Sequence, residues 1–230
     1  MYENIIIIPF RNRDEHLEYY IKNAVPLIQE YLPNSKVVVV EQNEGKLFNR
    51  GALLNVAFKE YKNNTKYFFT HDVDVIPNSE IVKYIYTKED INMFRIKCPH
   101  NTSLGCIIKV DHDTIFNING FPNYIWGWGI EDRALYYRCL IKNINITDNK
   151  NITDNKNKKM FKMLKHSSNS IEYTGEKKII SEKWRLEYIN KLNNKEKEKM
   201  ITETGINNLE YTILEKKMLH DIVEIIKVDI

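Results

Sequence analysis

The chain has 230 residues, 43% of them hydrophobic, a proportion that supports one sizeable core and excludes a disordered chain. Its 34 basic and 31 acidic residues leave a net charge of +3, too even for a nucleic-acid surface built on overall charge. The first apolar run, Ile5 to Ile8, stops at Pro9 and is too short for a signal-peptide core or a membrane span. With three cysteines, Cys98, Cys106 and Cys139, the expectation is a soluble cytoplasmic protein with free thiols and no transmembrane segment.

In chain order, "IIIIPF" (5–10) and "KVVVVEQ" (36–42) are short continuous β-branched runs, the pattern of strands buried on both faces of a largely parallel sheet. Between them Leu17, Tyr20, Ile21, Ala24, Ile28, Tyr31 and Leu32 share one helical face, and Pro26 predicts a kink. Strand, helix and strand make a right-handed βαβ unit. The unit repeats with a helix over 51–61 and a strand "KYFFTHDVD" (66–74).

Strands follow at "INMFRI" (91–96) and "LGCIIKV" (104–110), then a short helix "HDTIFNI", a loop "NGFPNYIWGWG" and a helix "EDRALYYRCLIKN". The hexapeptide "NITDNK" occurs twice in tandem at 145–156; lacking an apolar face, it reads as an expanded surface loop. A charged helix around "SEKWRLEYINKLNNKEKEK" and two closing strands, "LEYTILEKK" and "IVEIIKVDI", complete the chain. The fold class expected is α/β: one domain over 1–230, a mostly parallel twisted sheet flanked by helices, with a small antiparallel part.

Four features carry chemistry. In an extended strand residues two apart share a side, so "HDVDVIP" would present Asp72 and Asp74 together at a strand's carboxyl end, where open α/β sheets bind ligands. Hard paired carboxylates suit Mg²⁺ or Mn²⁺, although two acids before a proline equally solvate and cap a strand end. Arg11 and Arg13 past the first strand and Arg50 at a helix start tip the balance toward a nucleotide-diphosphate cradle.

In "NGFPNYIWGWGIEDRAL" (119–135), Trp126 and Trp128 stand among Gly127 and Gly129, large stacking surfaces on a freely turning backbone, ahead of Glu131 and Asp132. A carboxylate there suits general-base work; a structural loop with an acidic helix start is the alternative. "MLKH" places Met163 and His166 at the end of a strand. The histidine is a possible metal ligand or a plain exposed side chain, and spacing alone does not nominate the methionine.

Together, "IIPFRNRDEHL", "FNRGALLNVAF", "HDVDVIP", "NINGFPNYIWGWGIED" and "MLKHS", in this order, resemble the β1,4-galactosyltransferase family over nearly the whole chain. The resemblance implies a GT-A fold and an inverting transfer of a hexose or N-acetylhexosamine from a UDP-sugar to a glycan or glycoconjugate hydroxyl, with Mn²⁺. It implies that Pro9, Phe10, Arg11, Arg13, Phe48, Arg50 and Asp72 line the UDP site, with Trp128 closing over the donor. Asp74, Met163 and His166 match the manganese ligands; Glu131 and Asp132 match the acceptor-binding acids, with Asp132 the base.

Departures from the family pattern are as informative. Ser103 falls where galactose-specific members carry a tyrosine that crowds a 2-N-acetyl group, so Ser103, with Trp126, is assigned to donor and substrate specificity. Cys106 and Ile130 replace glycines, and Arg133 replaces an acid after the base. The competing expectation is a catalytically silent UDP- or carbohydrate-binding protein on the same scaffold. A phosphohydrolase or nuclease built on "DVD" lacks both a basic stripe and further clustered acids.

Overall fold

The first two β-branched runs form the centre of the sheet. In the computed structural model, which describes residues 1–97, 104–149, 160–165 and 175–230, β1 (Tyr2–Phe10) pairs in parallel with β2 (Ser35–Gln42). Ile5 to Ile8 are fully buried because both faces of the sheet are covered. Ile6 and Ile8 pack in one core with Leu17, Tyr20 and Ile28, while Ile5 and Ile7 pack in another with Leu53, Leu54 and Phe58. A strand wetted on one face would alternate; this one cannot.

The first core is roofed by α1 (Asp14–Asn23) and α2 (Val25–Tyr31). The sequence predicts one kinked helix here, and the chain makes two. Pro26 lies in the first turn of α2, where its missing N–H costs nothing, so the earlier helix ends just before it. The second core is covered by α3 (Arg50–Glu60).

Strand β3 (Thr65–His71) joins β1 in parallel on the side away from β2, and β10 (Val223–Asp229) joins β2 in parallel. The order β7-β5-β6-β3-β1-β2-β10-β9 thus turns in opposite directions from β1, which leaves a crevice at the carboxyl ends of β1 and β3. Antiparallel pairing begins outside this core. Strand β6 (Ile107–Asp111) pairs with β3, β5 (Met93–Ile96) with β6, and β9 (Thr212–His220) with β10. A separate antiparallel ladder joins β4 (Val75–Pro77) to β8 (Phe161–Met163). The result is the mostly parallel mixed sheet with flanking helices and a small antiparallel part that the sequence predicts.

Several local expectations are corrected. Strand β6 starts at Ile107, not Leu104, because Cys106 sits at φ 67°, outside the extended region. Cys106 is disulfide-bonded, against the free-thiol expectation; Cys139 is a free, buried thiol, and Cys98 lies outside the described residues. The first copy of the hexapeptide is not all loop. Its Ile146–Asp148 forms β7, parallel to β5, and Arg95 Nη2 donates to Asp148 Oδ2 at 2.7 Å.

The charged tail is three helices, α7 (Gly175–Lys183), α8 (Leu186–Lys191) and α9 (Asn194–Thr202), after α4 (Ser79–Ile81), α5 (His112–Asn117) and α6 (Glu131–Ile141). Arg185 and Asn193 are extended, and Asn193 closes a capping box with Glu196 that starts α9. The tail helices are tied back by Arg138 of α6, fully buried, whose guanidinium donates to the carbonyls of Ile118, Asn119, Gly120, Met200 and Thr204.

Candidate active site

The crevice is assembled from strand ends inward. Strand β1 finishes with buried Pro9 and Phe10, and Arg11 and Arg13 follow. Arg11 Nη1 donates to the carbonyl of Lys46 at 2.7 Å, and its guanidinium lies 5.3 Å from the centre of the Phe48 ring. The Phe48 carbonyl in turn accepts from Gly127 N at 2.7 Å. The end of β1, the segment after β2 and the tryptophan loop therefore meet at Phe48.

The two aspartates reach the crevice in a way that strand alternation does not describe. Strand β3 ends at His71, and Asp72 to Asp74 make a turn in which the Asp72 carbonyl accepts from Val75 N at 3.2 Å. Their carboxylates consequently go to different arginines. Asp72 Oδ1 receives both Nε and Nη2 of Arg50, at 3.0 and 2.8 Å, while Asp74 Oδ2 receives Arg13 Nη1 at 3.2 Å. Asp74 is 8% exposed and stands beside β8, with Leu164 N donating to its carbonyl at 2.8 Å and Met163 paired with the next residue, Val75. Asp74 and half-exposed Met163 are thus neighbours; His166 and Ser103 lie outside the described residues.

Arg50 is aimed by its own helix start. Asn49 caps α3, its Oδ1 accepting from Ala52 N at 3.0 Å, while Gln42 of β2 accepts from Asn49 N at 2.7 Å. The cap satisfies an otherwise orphaned helix donor. Burial works against the charge on Arg50, and Asp72 and Glu131 outweigh it. A Cβ on Gly51 would lie 3.0 Å from Phe121 Cβ and 3.3 Å from the Pro122 carbonyl, so any larger residue would push the start of the tryptophan loop back by a few tenths of an ångström.

Helix α6 supplies the opposite wall. Glu131, 9% exposed, lies 3.8 Å from Arg50 Nη1; burial pushes its carboxyl pKa up, with the Arg50 charge opposing. Among the described residues Arg50 Nη1 and Glu131 Oε2 are buried without a hydrogen-bond partner, an unusual cost for two polar atoms that face each other across the crevice wall. Asp132 is partly exposed and its Oδ1 accepts from Arg133 N at 2.7 Å. Both acids occupy the first turn, where the helix dipole favours negative charge.

The loop ahead of them is strained. Gly127, Gly129 and Ile130 have φ of 76°, 87° and 85°. For a β-branched residue this costs on the order of 1–3 kcal/mol, offset by packing Ile130 with Trp184, Ile189 and Met200. Trp128 is 72% exposed, and the Trp126 ring centre is 6.0 Å from Lys46 Nζ.

The structure therefore gathers Arg13 with Asp74, Arg11 with Phe48, and Asp72 with Arg50 and Glu131. Sequence reasoning did not find Asn49, Asn55 or Lys177. Asn55, fully buried on α3, donates to the Phe121 carbonyl at 2.7 Å and accepts from Phe121 N at 2.9 Å. A polar residue on an otherwise apolar helix face was the available signal.

Residues 1–87 match the N-terminal region of glycosyl transferase group 7, and residues 87–167 match the family described as the N-terminal domain of galactosyltransferase. The chain belongs to the β1,4-galactosyltransferase family. It is 34% identical over 150 residues to β1,4-galactosyltransferase 1 of Bos taurus, an alignment covering 62% of this chain and 37% of the relative. It is 30% identical over 199 residues to β1,4-galactosyltransferase 6 of Mus musculus, covering 82% and 50%. The chain thus spans half or less of the length of these relatives.

Its fold matches that of a Drosophila β1,4-galactosyltransferase 7 mutant solved with manganese, UDP-Gal and xylobiose, at TM-score 0.80 and 20% identity, over 100% of this chain and 94% of that one. The catalytic domain of the Drosophila enzyme with xylobiose gives TM-score 0.76 at 22% identity, with the same coverage. The expected cytoplasmic location is overturned: homologues in the family are Golgi enzymes. Among the described residues no helix is long and apolar enough to cross a membrane.

Proposed function

We propose that this family member is a single catalytic domain that transfers a hexose or N-acetylhexosamine, Gal or GalNAc, from a UDP-sugar to a glycan hydroxyl with inversion. The observation that carries the reading is the chain Asp72–Arg50–Glu131, 2.8 and 3.8 Å between charged atoms, which links the nucleotide end of the crevice to the acids on α6.

In this reading Pro9, Phe10, Arg11, Arg13, Phe48 and Arg50 hold the UDP moiety, Asp72 keeps Arg50 oriented, and Trp128 covers the donor. Asp74 directly precedes Val75, the cross-strand partner of Met163, and this adjacency of the two segments supports Asp74 and Met163, with His166, as the residues that would hold Mn²⁺; the ion would supply positive charge against the diphosphate. One solved structure of the same fold, the Drosophila β1,4-galactosyltransferase 7 mutant, contains manganese and UDP-Gal, which supports the assignment. Asp132 takes the proton of the acceptor hydroxyl as its oxygen bonds to the anomeric carbon, and the carbon–oxygen bond to UDP breaks with its electron pair leaving on the diphosphate. The arginines stabilise the growing negative charge. Glu131, buried against Arg50, positions the acceptor beside the base.

The test is a panel of UDP-sugars assayed with Mn²⁺ and simple sugar acceptors, with Asp132→Asn alongside. Transfer from UDP-Gal or UDP-GalNAc, lost in the variant while UDP still binds, is the expected result. Tight UDP binding without transfer from any donor would instead mark a silent binding protein.

A further inference from the structure

One buried cation near the crevice has no part in the mechanism above. Lys177, on α7, is 8% exposed. Its Nζ donates to the carbonyl of Trp128 at 3.0 Å and to that of Gly129 at 3.1 Å. Those carbonyls belong to the stretch whose φ values are positive at Gly127, Gly129 and Ile130, and the next two residues are Glu131 and Asp132. An ammonium buried on two loop carbonyls is a fixed tie, since each bond is charge-assisted and neither carbonyl reaches a helical partner.

The tie joins elements far apart in sequence. Helix α7 begins at Gly175, after the undescribed stretch 166–174, whereas the loop leads into α6. Arg133, one residue past the base, makes a second link, with Nη1 donating to Ser181 Oγ of α7 at 3.3 Å. Trp184, at the end of α7, lies in the cluster that buries Ile130. Helix α7 thus grips the loop by a charge on its carbonyls, by a polar link beside Asp132 and by apolar packing under the strained residue.

We propose that Lys177 is a positioning residue: by holding the carbonyls of Trp128 and Gly129 it fixes the left-handed course through Gly129 and Ile130 and thereby sets where Glu131 and Asp132 stand against the acceptor. This rests on the reading of Asp132 as the base. The Lys177 ammonium hydrogen-bonds the loop backbone and none of the acids, while its charge also acts through space on Glu131; the part of its effect that loop geometry transmits is the part the exchange of the loop reports. Arginine can keep the charge and two donors; methionine keeps the stem and loses both bonds.

The experiment compares wild type, Lys177→Met, Lys177→Arg and the exposed-neighbour control Lys178→Met, by hydrogen exchange of peptides spanning 124–135 and by kinetics with a UDP-sugar, Mn²⁺ and an acceptor. Lys177→Met should speed exchange in that segment about tenfold and lower kcat by about ten- to a hundredfold, with UDP affinity unchanged. Lys177→Arg should restore part of both, and Lys178→Met should change neither. Wild-type exchange in the segment, or wild-type kcat, in Lys177→Met overturns the proposal. If wild type transfers no sugar, the functional reading falls and the exchange data alone decide the tie. Should Lys177→Met not fold, Lys177→Gln, which keeps an amide NH₂ but no charge, takes its place.

Discussion

At the scale of residues, the crevice is ruled by which charge neutralises which. Arg50 serves two carboxylates, at 2.8 and 3.8 Å, so its removal leaves Glu131 buried without its counter-charge. Arg50→Met should destabilise the protein by roughly 3 kcal/mol and abolish UDP binding, measured by urea unfolding and calorimetric titration; unchanged affinity for UDP would remove Arg50 from the nucleotide site. Asp74 is a different case, paired with Arg13 and one residue before Val75, the cross-strand partner of Met163. Asp74→Ala should eliminate the Mn²⁺ dependence of turnover and weaken Mn²⁺ binding in a titration without donor. An unaltered metal response would take Asp74 out of the metal site.

Arg11, Arg13, Arg50, Asp72, Asp74, Glu131 and Asp132 were legible as candidates in the sequence through their order and combination, because each charge alone at a strand end or helix start has an ordinary structural use. Their pairing was not. The alternation rule placed both aspartates on one side of a strand, but the strand stops at His71. The turn that follows, closed by Val75 N on the Asp72 carbonyl, sends the two carboxylates apart.

At the scale of elements, helix starts position the site. Asn49 both caps α3 through its side chain and donates its own N–H to Gln42 Oε1, so it fixes where Arg50 leaves the helix. Asn49→Ala should cost about 1–2 kcal/mol, read in chemical denaturation, and raise KM for the donor. A variant as stable as wild type would show that the cap is redundant. Apolar periodicity predicted α1 to α3 and the central strands, since a core-facing stripe leaves its period in the sequence. It merged α1 with α2 and fused the three tail helices, because those breaks depend on single residues, Pro26, Arg185 and Asn193, whose conformations carry no periodic signal. Strand β7 was missed for the opposite reason. Three residues of a polar repeat pair with β5 through backbone bonds and the Arg95–Asp148 contact, neither of which needs an apolar face.

At the scale of the whole molecule, the sheet carries a buried histidine at the rim of the crevice. His71 is fully buried, with Nδ1 2.9 Å from the Asp72 carbonyl and Nε2 2.8 Å from Tyr86 Oη. Burial pushes its pKa down to about 4, whereas the unfolded chain protonates it near the ordinary 6.5. Between those values the unfolded state binds the extra proton, so the contribution to stability is complete above pH 6.5 and drains away as pH falls to about 4, by roughly 3 kcal/mol. Urea midpoints at pH 7 and pH 4.5 should show this loss in wild type and a smaller one in His71→Gln. Equal losses in the two proteins would assign the acid sensitivity elsewhere.

The sequence by itself determined the strand-rich, two-faced sheet, the order of the charged motifs and, through that order, the family. These are properties of local pattern: continuous β-branched runs, helical stripes and short strings of charge. Only the tertiary structure decided that Asp72 answers to Arg50 and Asp74 to Arg13, that Cys106 is in a disulfide, and that Lys177 of α7 holds the loop before Asp132. The side-chain contacts among these join the start of α3 to the turn after β3, the end of β1 to that same turn, and α7 to the tryptophan loop, and no local pattern in either partner encodes the distance between them.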